Sequence, residues 1–356
     1  MSFSGDGGVE RMMVNLMTGF ISKGFSIDLI LAKAQGSFLE KIPPEVNIIK
    51  LGRSHTLTCL PGLIRYLKKN KPEALFVAKH RAGIVALLAK KCTGLSTRIV
   101  LRLGTTVSAA LLHKNRFRRW QWYNSMQRAY PKIDTIIAVS KGVANDVSQI
   151  TGIPVSQIKV IHNPVITPQL HELAAESVDH PWLQTDEIPV IIGMGRMTQQ
   201  KDFSSLVRAF ANVRKKIACR LILLGGGDQT AIRELADELG VKEHISLPGF
   251  QKNPYAYLTK ANLFVLSSRW EGSPNALTEA MAVGIPVVST DCPSGPREIM
   301  QDGKYGPLCP VGDIDCLAAA IEATLKKSPE RFFIQSAVES YTIENSTEEY
   351  LKVIIA

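Results

Sequence analysis

The stretch from Ser267 to Asp291, SSRWEGSPNALTEAMAVGIPVVSTD, limits the possible folds more than any other part of the chain. Leu263 to Ser268 is a short apolar run, the pattern of a parallel strand buried on both faces. Arg269 to Gly272 reads as a loop. Ser273 can cap a helix, Pro274 suits its first position, and Asn275 to Val283 run on as good helix formers. Gly284 ends that helix, and Ile285 to Thr290 is the next strand. A strand, loop, helix and second strand in so short a span demand a layered α/β fold.

Two carboxylates lie in this unit, Glu271 in the loop and Glu279 inside the helix. In an open α/β sheet, ligands bind beyond the carboxyl ends of the strands, which is where the loop sits. The helix start adds free N–H groups and partial positive charge, suited to phosphate or sugar hydroxyls. Either glutamate alone is as compatible with a solvated cap or helix surface. The assembled unit points to a ligand.

The remainder alternates in the same way. A Gly-rich loop (Gly5, Gly7, Gly8) precedes an amphipathic segment from Val9 to Lys23 and a strand over Phe25 to Ala32. Glycines running into a helix start can cradle a phosphate, and equally make an ordinary terminus. Strands follow at Asn47–Leu51, Ala74–Ala78, Arg98–Leu103 and Asp134–Ser140, with helices at Pro61–Asn70, Ala82–Lys91 and Lys141–Thr151. Ile158 to Val165 is a last short strand. Residues 166–186 are polar, with Pro168 and Pro181, and read as a linker. Pro189 to Met194 then opens a second set of alternating elements. It leads into a loop with Arg196 and Lys201, two cations placed to hold a diphosphate or simply to face solvent. Gly193 and Gly195 lack the third glycine of a dinucleotide fingerprint, so NAD is a poor reading. Gly225 to Gly227 allow a ligand close to the backbone. Thr347 to Ile355 ends the chain as an amphipathic segment.

At 356 residues with 45% hydrophobic and 21% charged content, two domains with sizeable cores are expected. Six cysteines without a CxxC pair argue for a reducing cytosol and against zinc. The net charge of +10 is concentrated: residues 1–166 carry 24 Lys and Arg against 8 Asp and Glu. Such a half suggests an anionic partner. Its most basic stretch, His113 to Lys132, interleaves Arg116, Arg118 and Arg119 with Trp120 and Trp122, which suits an anionic membrane surface or a plain helix with aromatics inward. No nucleic-acid reading motif is seen, and no apolar run approaches the roughly 20 residues that span a bilayer.

The stretch EGSPNALTEAMAVGIPVVSTD, with Glu271 and Glu279 at its ends of spacing, resembles the E-x7-E signature of the retaining GT-B glycosyltransferases, group 1 or family 4. Arg196-x4-Lys201, the NPV at Asn163 to Val165, and Gly7, Gly8, Glu10 and Arg11 (the GGxER start) resemble the same family. The resemblance implies two Rossmann-like domains facing a cleft. The expected limits are an acceptor domain at 1–165, a linker at 166–186, a nucleotide-sugar domain at 187–330, and a helix within 331–356 returning to the first domain. Family members begin with a strand before GGxER, so the first strand is expected to be missing here.

The resemblance further implies transfer of a sugar from a nucleotide donor, UDP-linked, to a lipid-linked or cell-surface glycan, as in lipopolysaccharide or polysaccharide synthesis. Glu271, Arg196 and Lys201 take the catalytic places. Glu279, Gly272, Ser273, Pro274, Asn275, Ala276, Leu277, Gly225, Gly7 and Gly8 take the donor. No cofactor and no metal is expected, and no Asp-x-Asp motif serves the site. No histidine is assigned, since His80 and His113 stand at other positions than the family's. The expected location is cytoplasmic, peripheral to the inner membrane face. A nucleotide-sugar epimerase of the same fold, or an inactive nucleotide-sugar or membrane-binding module, stays open as an alternative.

Overall fold

Every strand ladder is parallel, and helices connect most consecutive strands. The computed structural model of the chain describes residues 2–3, 8–34, 37–53, 55–185 and 187–355. Contacts divide it into unit 1 (Met1–Val165 with Ser340–Ala356) and unit 2 (Ile166–Glu339).

In chain order, unit 1 holds β1 (Ser2–Phe3), α1 (Gly8–Ser22), β2 (Asp28–Leu31), β3 (Lys33–Ala34), β4 (Asn47–Lys50), α2 (Leu60–Asn70), β5 (Ala74–Val77), α3 (His80–Thr93), β6 (Arg98–Leu103), α4 (Val107–Ala110), α5 (Arg116–Ala129), β7 (Thr135–Ala138), α6 (Lys141–Thr151) and β8 (Ile158–Val160). Unit 2 holds α7 (Pro168–Ala174), β9 (Val190–Met194), α8 (Phe203–Arg214), β10 (Arg220–Leu224), α9 (Thr230–Glu238), β11 (Ile245–Gly249), α10 (Pro254–Lys260), β12 (Leu263–Leu266), α11 (Asn275–Val283), β13 (Val287–Thr290), α12 (Pro296–Ile299), β14 (Leu308–Cys309), α13 (Ile314–Lys326) and α14 (Arg331–Ser336). The chain returns to unit 1 as α15 (Ile343–Ile354).

Unit 2 is one sheet in the order β11-β10-β9-β12-β13-β14. Its inner strands are short apolar runs because both faces are covered; all four residues of β12 are buried. On α8, Phe203, Leu206, Val207, Phe210 and Val213 follow helical spacing and are buried with Leu317 and Ile321 of α13 against Ile191, Leu221 and Val265 of the sheet. Burying each of the larger side chains contributes about 1.5–3 kcal/mol. The strand order reverses at β9, which lies between β10 and β12. The loops after β9 and β12 therefore diverge at one point of the sheet, the place where such folds bind ligands.

In unit 1, β5-β6-β7-β8 form one sheet and β2-β4 a separate ladder, while β1 pairs with β3. α1 buries Met12 and Leu16 with Leu29, Leu31, Val100 and Tyr350, so α15 shares its core. α5 is capped by Asn115, whose side chain accepts the Arg118 N–H at 2.9 Å.

Several expectations change. The stretch expected as a plain linker carries α7, which packs on α10; Asn253 Nδ2 donates to the Leu173 carbonyl at 2.8 Å. Its prolines sit at helix starts, at Pro168 and Pro181, where a missing N–H costs nothing. Residues 331–339 belong to unit 2 through α14, which packs on α11. β2 spans only Asp28–Leu31 of the expected Phe25 to Ala32, and α3 begins at His80, ahead of the expected Ala82. Trp122, grouped above with a membrane-facing surface, is half-buried with its ring 4.8 Å from His80. Trp120 and Phe117 do stay outside, 59% and 64% exposed and stacked on each other.

His80 bridges this core: Nδ1 lies 3.2 Å from Tyr130 Oη and Nε2 3.3 Å from Ser125 Oγ. Burial, then the nearby Arg81 charge, lowers its pKa to about 4. The folded value is below the unfolded one near 6.5, so the unfolded chain takes up a proton first. The stability lost between pH 6.5 and about 4 should be on the order of 2 kcal/mol after discounting for partial exposure. Urea midpoints at pH 7 and pH 4.5 should fall less in His80→Gln than in the parent; equal falls would show that His80 does not carry this loss.

Candidate active site

The site builds on the β9–β12 switch point. After β9, the backbone passes Gly195 and Arg196 to Lys201 and Asp202, the last in the left-handed region at φ 45°. After β12 it passes Ser267 to Pro274 before α11. The two loops are tied together. Arg269 N donates to the Gln200 carbonyl at 2.8 Å, and Arg269 Nε pairs with Asp202 Oδ2 at 2.9 Å. Ser267 Oγ donates to the Lys201 carbonyl at 2.7 Å.

These ties bring Lys201 Nζ to 2.6 Å from Glu271 Oε1, both side chains largely buried. The same oxygen accepts Ser268 Oγ at 2.7 Å, and Gln200 Nε2 reaches Oε2 at 3.4 Å. Glu271 N donates to the Pro293 carbonyl at 3.1 Å, which fastens the loop to the segment after β13. Cys292 in that segment is buried; burial and then the Glu271 charge push its thiol pKa up. Charge-assisted bonds of this kind hold a carboxylate in one orientation. The ammonium has three N–H groups and gives one to Glu271, so its others can reach a second acceptor.

Glu279 is also buried, inside α11, where Tyr255 Oη of α10 lies 3.4 Å from its Oε1. α11 begins one residue later than the sequence suggests. Pro274, not Ser273, occupies the cap position, and its carbonyl accepts Leu277 N at 3.0 Å. Proline's fixed φ and its lack of an N–H fit that place. Gly272 is buried in the loop, and Asn275, Ala276 and Leu277 form the first turn. Gly284 closes the helix at φ 79°; a Cβ there would meet Arg331 Cγ at 2.2 Å, so α14 can lie close.

Gly225 brings β10 into the site. An ideal Cβ on it would lie 1.8 Å from the Gly195 carbonyl oxygen. Gly195 N in turn donates to the Leu224 carbonyl at 2.8 Å. The glycine turn thus supports the loop that carries Arg196 and Lys201.

The sequence-predicted residues are not all brought together. Lys201 and Glu271 form one ion pair, and Glu279 has a separate partner in Tyr255. Arg196 is exposed at the same loop, so the expected paired clamp is one exposed and one engaged cation. Gly8 starts α1 in unit 1 and is exposed, while Gly7 lies outside the described residues. Ser268, Gln200 and Tyr255 were not anticipated. Ser268 stands three residues before Glu271, but nothing in the pattern marks Gln200 or Tyr255. An Asp-x-Asp does occur, contrary to the sequence reading, at Asp313 and Asp315. Asp313 caps α13 by accepting Cys316 N at 2.9 Å, and Asp315 lies in the first turn, a helix-start arrangement.

Comparison with known proteins gives concordant results. The family profile described as "Glycosyl transferases group 1" matches residues 188–327, and "Glycosyltransferase Family 4" matches residues 6–168. The N-acetylgalactosamine-N,N'-diacetylbacillosaminyl-diphospho-undecaprenol 4-alpha-N-acetylgalactosaminyltransferase of Campylobacter jejuni is 30% identical over 337 residues, covering 90% of this chain and 88% of the relative. The lipopolysaccharide core biosynthesis glycosyltransferase LpsE of Rhizobium meliloti is 26% identical, covering 99% and 97%. Among solved structures, Anabaena HepE in complex with UDP and glucose superposes with a TM-score of 0.79 at 18% identity, over 100% of this chain and 98% of that one. A glycosyltransferase from Rickettsia africae gives 0.78 at 16%, over 99% and 96%.

Proposed function

Since the chain belongs to the glycosyl transferases of group 1, family 4, and is a glycosyltransferase of the two-domain GT-B fold, we propose that it moves a sugar from a UDP-sugar to a lipid-linked or cell-surface glycan, with retention and without a metal. The observation that carries this reading is the Lys201–Glu271 pair at the switch point of the unit 2 sheet. A glycosyl transfer releases a nucleoside diphosphate, so negative charge grows on the β-phosphate while the sugar becomes oxocarbenium-like. Fixed donors aimed at that oxygen are the main expected source of rate. Lys201 has spare N–H groups for it, Arg196 adds a second cation, and the first turn of α11 from Asn275 to Leu277 adds backbone N–H groups. Two cations in this role make a metal unnecessary.

Glu271 then binds hydroxyls of the donor sugar, and Glu279 those of the ribose. Gly272, Ser273 and Pro274 shape the loop over the donor, and Gly225 lets the diphosphate approach backbone. The Campylobacter relative acts on a diphospho-undecaprenol substrate, and the Rhizobium relative serves lipopolysaccharide core synthesis. The Anabaena neighbour binds UDP and glucose. These support a UDP-sugar donor, a lipid-linked glycan acceptor and a place in lipopolysaccharide or polysaccharide synthesis.

The test is purified protein incubated with a panel of UDP-sugars after EDTA treatment, with release of UDP measured with and without a polyprenyl-diphosphate-linked acceptor. Acceptor-dependent UDP release supports the reading. Epimerised nucleotide sugar without UDP release, or activity that returns only with a divalent cation, would count against it. In Tyr255→Phe, Glu279 loses one hydrogen-bond donor, worth about 0.5–1.5 kcal/mol. The expected result is a donor KM raised about threefold to tenfold with kcat little changed. A fall in kcat alone would place Glu279 elsewhere in the reaction.

For the membrane partner, Leu112, Phe117 and Trp120 are exposed by 68%, 64% and 59% beside Lys114, Arg116, Arg118 and Arg119. Among the described residues no helix is long and apolar enough to cross a membrane. The patch is proposed to sit on anionic lipid, placing the enzyme peripherally on the cytoplasmic face. Phe117→Ala with Trp120→Ala should weaken binding to vesicles rich in phosphatidylglycerol by on the order of tenfold or more, from lost apolar burial. Unchanged co-sedimentation would exclude this face.

A further inference from the structure

In a parallel sheet the carboxyl ends of the strands lead into the loops that hold ligands, so the amino ends form the opposite edge. In unit 1, β5, β6 and β7 pair in parallel, Ala74 opposite Arg98 and Val100 opposite Thr135, so their starts lie together. A helix that links parallel strands runs back along the sheet and ends beside the next start. α2 therefore brings Lys68 and Lys69, in its last turn, to this edge, and Lys71 follows as its cap. α3 brings Lys90 and Lys91. Arg98 opens β6, and Lys132 stands three residues before β7.

Hydrogen bonds hold these segments side by side. Thr97 Oγ1 donates to the Pro72 carbonyl at 2.8 Å, and Arg98 N to the Glu73 carbonyl at 2.9 Å. Asp134 Oδ2 accepts Ile99 N at 2.7 Å and pairs with Lys90 Nζ at 2.8 Å. Four separate segments thus gather seven cations against two carboxylates, Glu73 and Asp134. Among the described residues only Lys90 of the seven has a carboxylate partner, and Lys68, Lys69, Lys71, Lys91 and Lys132 are exposed.

Lysines near a helix end complement the helix dipole. α2, α3 and α5 all end at this edge, and each end carries about −0.5 charge, so together they offset fewer than two cations. The two carboxylates offset two more. About three cations stay uncompensated, and a field of one sign attracts an anionic partner. The four segments expose no aromatic ring. A face seated on lipid uses aromatic anchors, and one that holds single-stranded nucleic acid stacks bases on rings. Carboxylates of a polypeptide need only reach the cations. In an extended segment every second side chain falls on one side, about 7 Å apart, a spacing that long lysine stems can meet.

We propose that the amino edge of the β5-β6-β7 sheet is a docking surface for an acidic, extended segment of a partner protein. Carboxylates of that segment pair with Lys69, Lys91 and Lys132, and the loops at the carboxyl edge stay uncovered. This surface is separate from the sugar chemistry and does not depend on it.

The probe is a fluorescein-labelled peptide of ten glutamates, its binding to the full chain followed by anisotropy. Affinity should fall about tenfold or more between about 50 and 300 mM salt. The bound peptide should slow amide exchange over 68–73 and 91–98. Lys69→Glu with Lys91→Glu and Lys132→Glu should lower affinity about tenfold or more. Lys242→Glu with Lys252→Glu and Lys260→Glu in unit 2 makes the same change in net charge and should leave affinity within about twofold. Lys69→Gln with Lys91→Gln and Lys132→Gln is the milder variant should the reversed charges disturb folding, and should lower affinity about threefold. No binding by the parent, or equal losses in the two charge-reversed variants, overturns the proposal. So does a matching loss of binding to phosphatidylglycerol vesicles, which would put this edge on lipid. Tighter binding of an oligouridylate of the same charge overturns it too, by making the edge a nucleic-acid face. None of these readouts involves sugar transfer, so a failure here leaves the proposed reaction standing, and the reverse.

Discussion

Glu271→Gln should lower kcat/KM for sugar transfer by about 10²–10³-fold, a loss of roughly 2.7–4 kcal/mol of transition-state stabilisation. The substitution keeps the shape and removes the charge. In the parent, Glu271 Oε1 accepts from Lys201 Nζ at 2.6 Å and from Ser268 Oγ at 2.7 Å. Gln places an amide there, so Lys201 loses its counter-charge in a largely buried position and the proposed sugar contact weakens. Removing one partner of a buried pair typically costs about 3–5 kcal/mol, and the remaining exposure of Lys201 brings the expected stability loss nearer 1–3. Lys201→Met separates the two effects. A double-mutant cycle on unfolding should give a coupling of about 1 kcal/mol or more between these residues. Transfer within threefold of the parent in Glu271→Gln would remove this carboxylate from the site, whatever the stability.

Gly225→Val should be the most disruptive single change outside the core. An added Cβ would stand 1.8 Å from the Gly195 oxygen and 2.6 Å from its carbonyl carbon, both backbone atoms that no rotamer change can move. The position also has φ 148°, which side-chain-bearing residues rarely adopt. Relief must come from separating the β9 and β10 ends, which would break the Gly195 N to Leu224 O bond and shift the loop holding Arg196 and Lys201. We expect destabilisation of about 3 kcal/mol or more, and a loss of transfer of about 100-fold in whatever remains folded. Gly226→Ala is the matched control. A Cβ there meets only Phe250 Cβ at 3.9 Å, an ordinary contact, and should change unfolding by less than about 0.5 kcal/mol. If Gly225→Val unfolds like Gly226→Ala, the close approach of these two loops is not maintained in solution.

Much of unit 2 was legible because its signals are local. The apolar run of β12, the helix formers of α11 and the glycine ending that helix each act within a few residues. Their errors are local too. α11 starts after Pro274 because proline, without an N–H, tolerates the cap position. The polar stretch before β9 looked like a linker because prolines there mark helix starts as readily as loops. In unit 1, the basic helix was visible, but not that Trp122 turns inward to His80 while Trp120 stays in solvent. Helical spacing gives a face only when neighbours on the other side are known.

By itself, then, the sequence determined the alternation of strands and helices, the two carboxylates eight residues apart, and the cations after β9. Each of these depends on backbone preference and spacing along the chain. Which of those charges meet was decided by tertiary structure alone. Lys201 and Glu271 are 70 residues apart, and they touch because β9 and β12 are neighbours although β10 and β11 intervene in the chain. Tyr255 reaches Glu279 for the same reason. A one-dimensional pattern specifies what a residue prefers, whereas the order of strands in a sheet specifies what it faces.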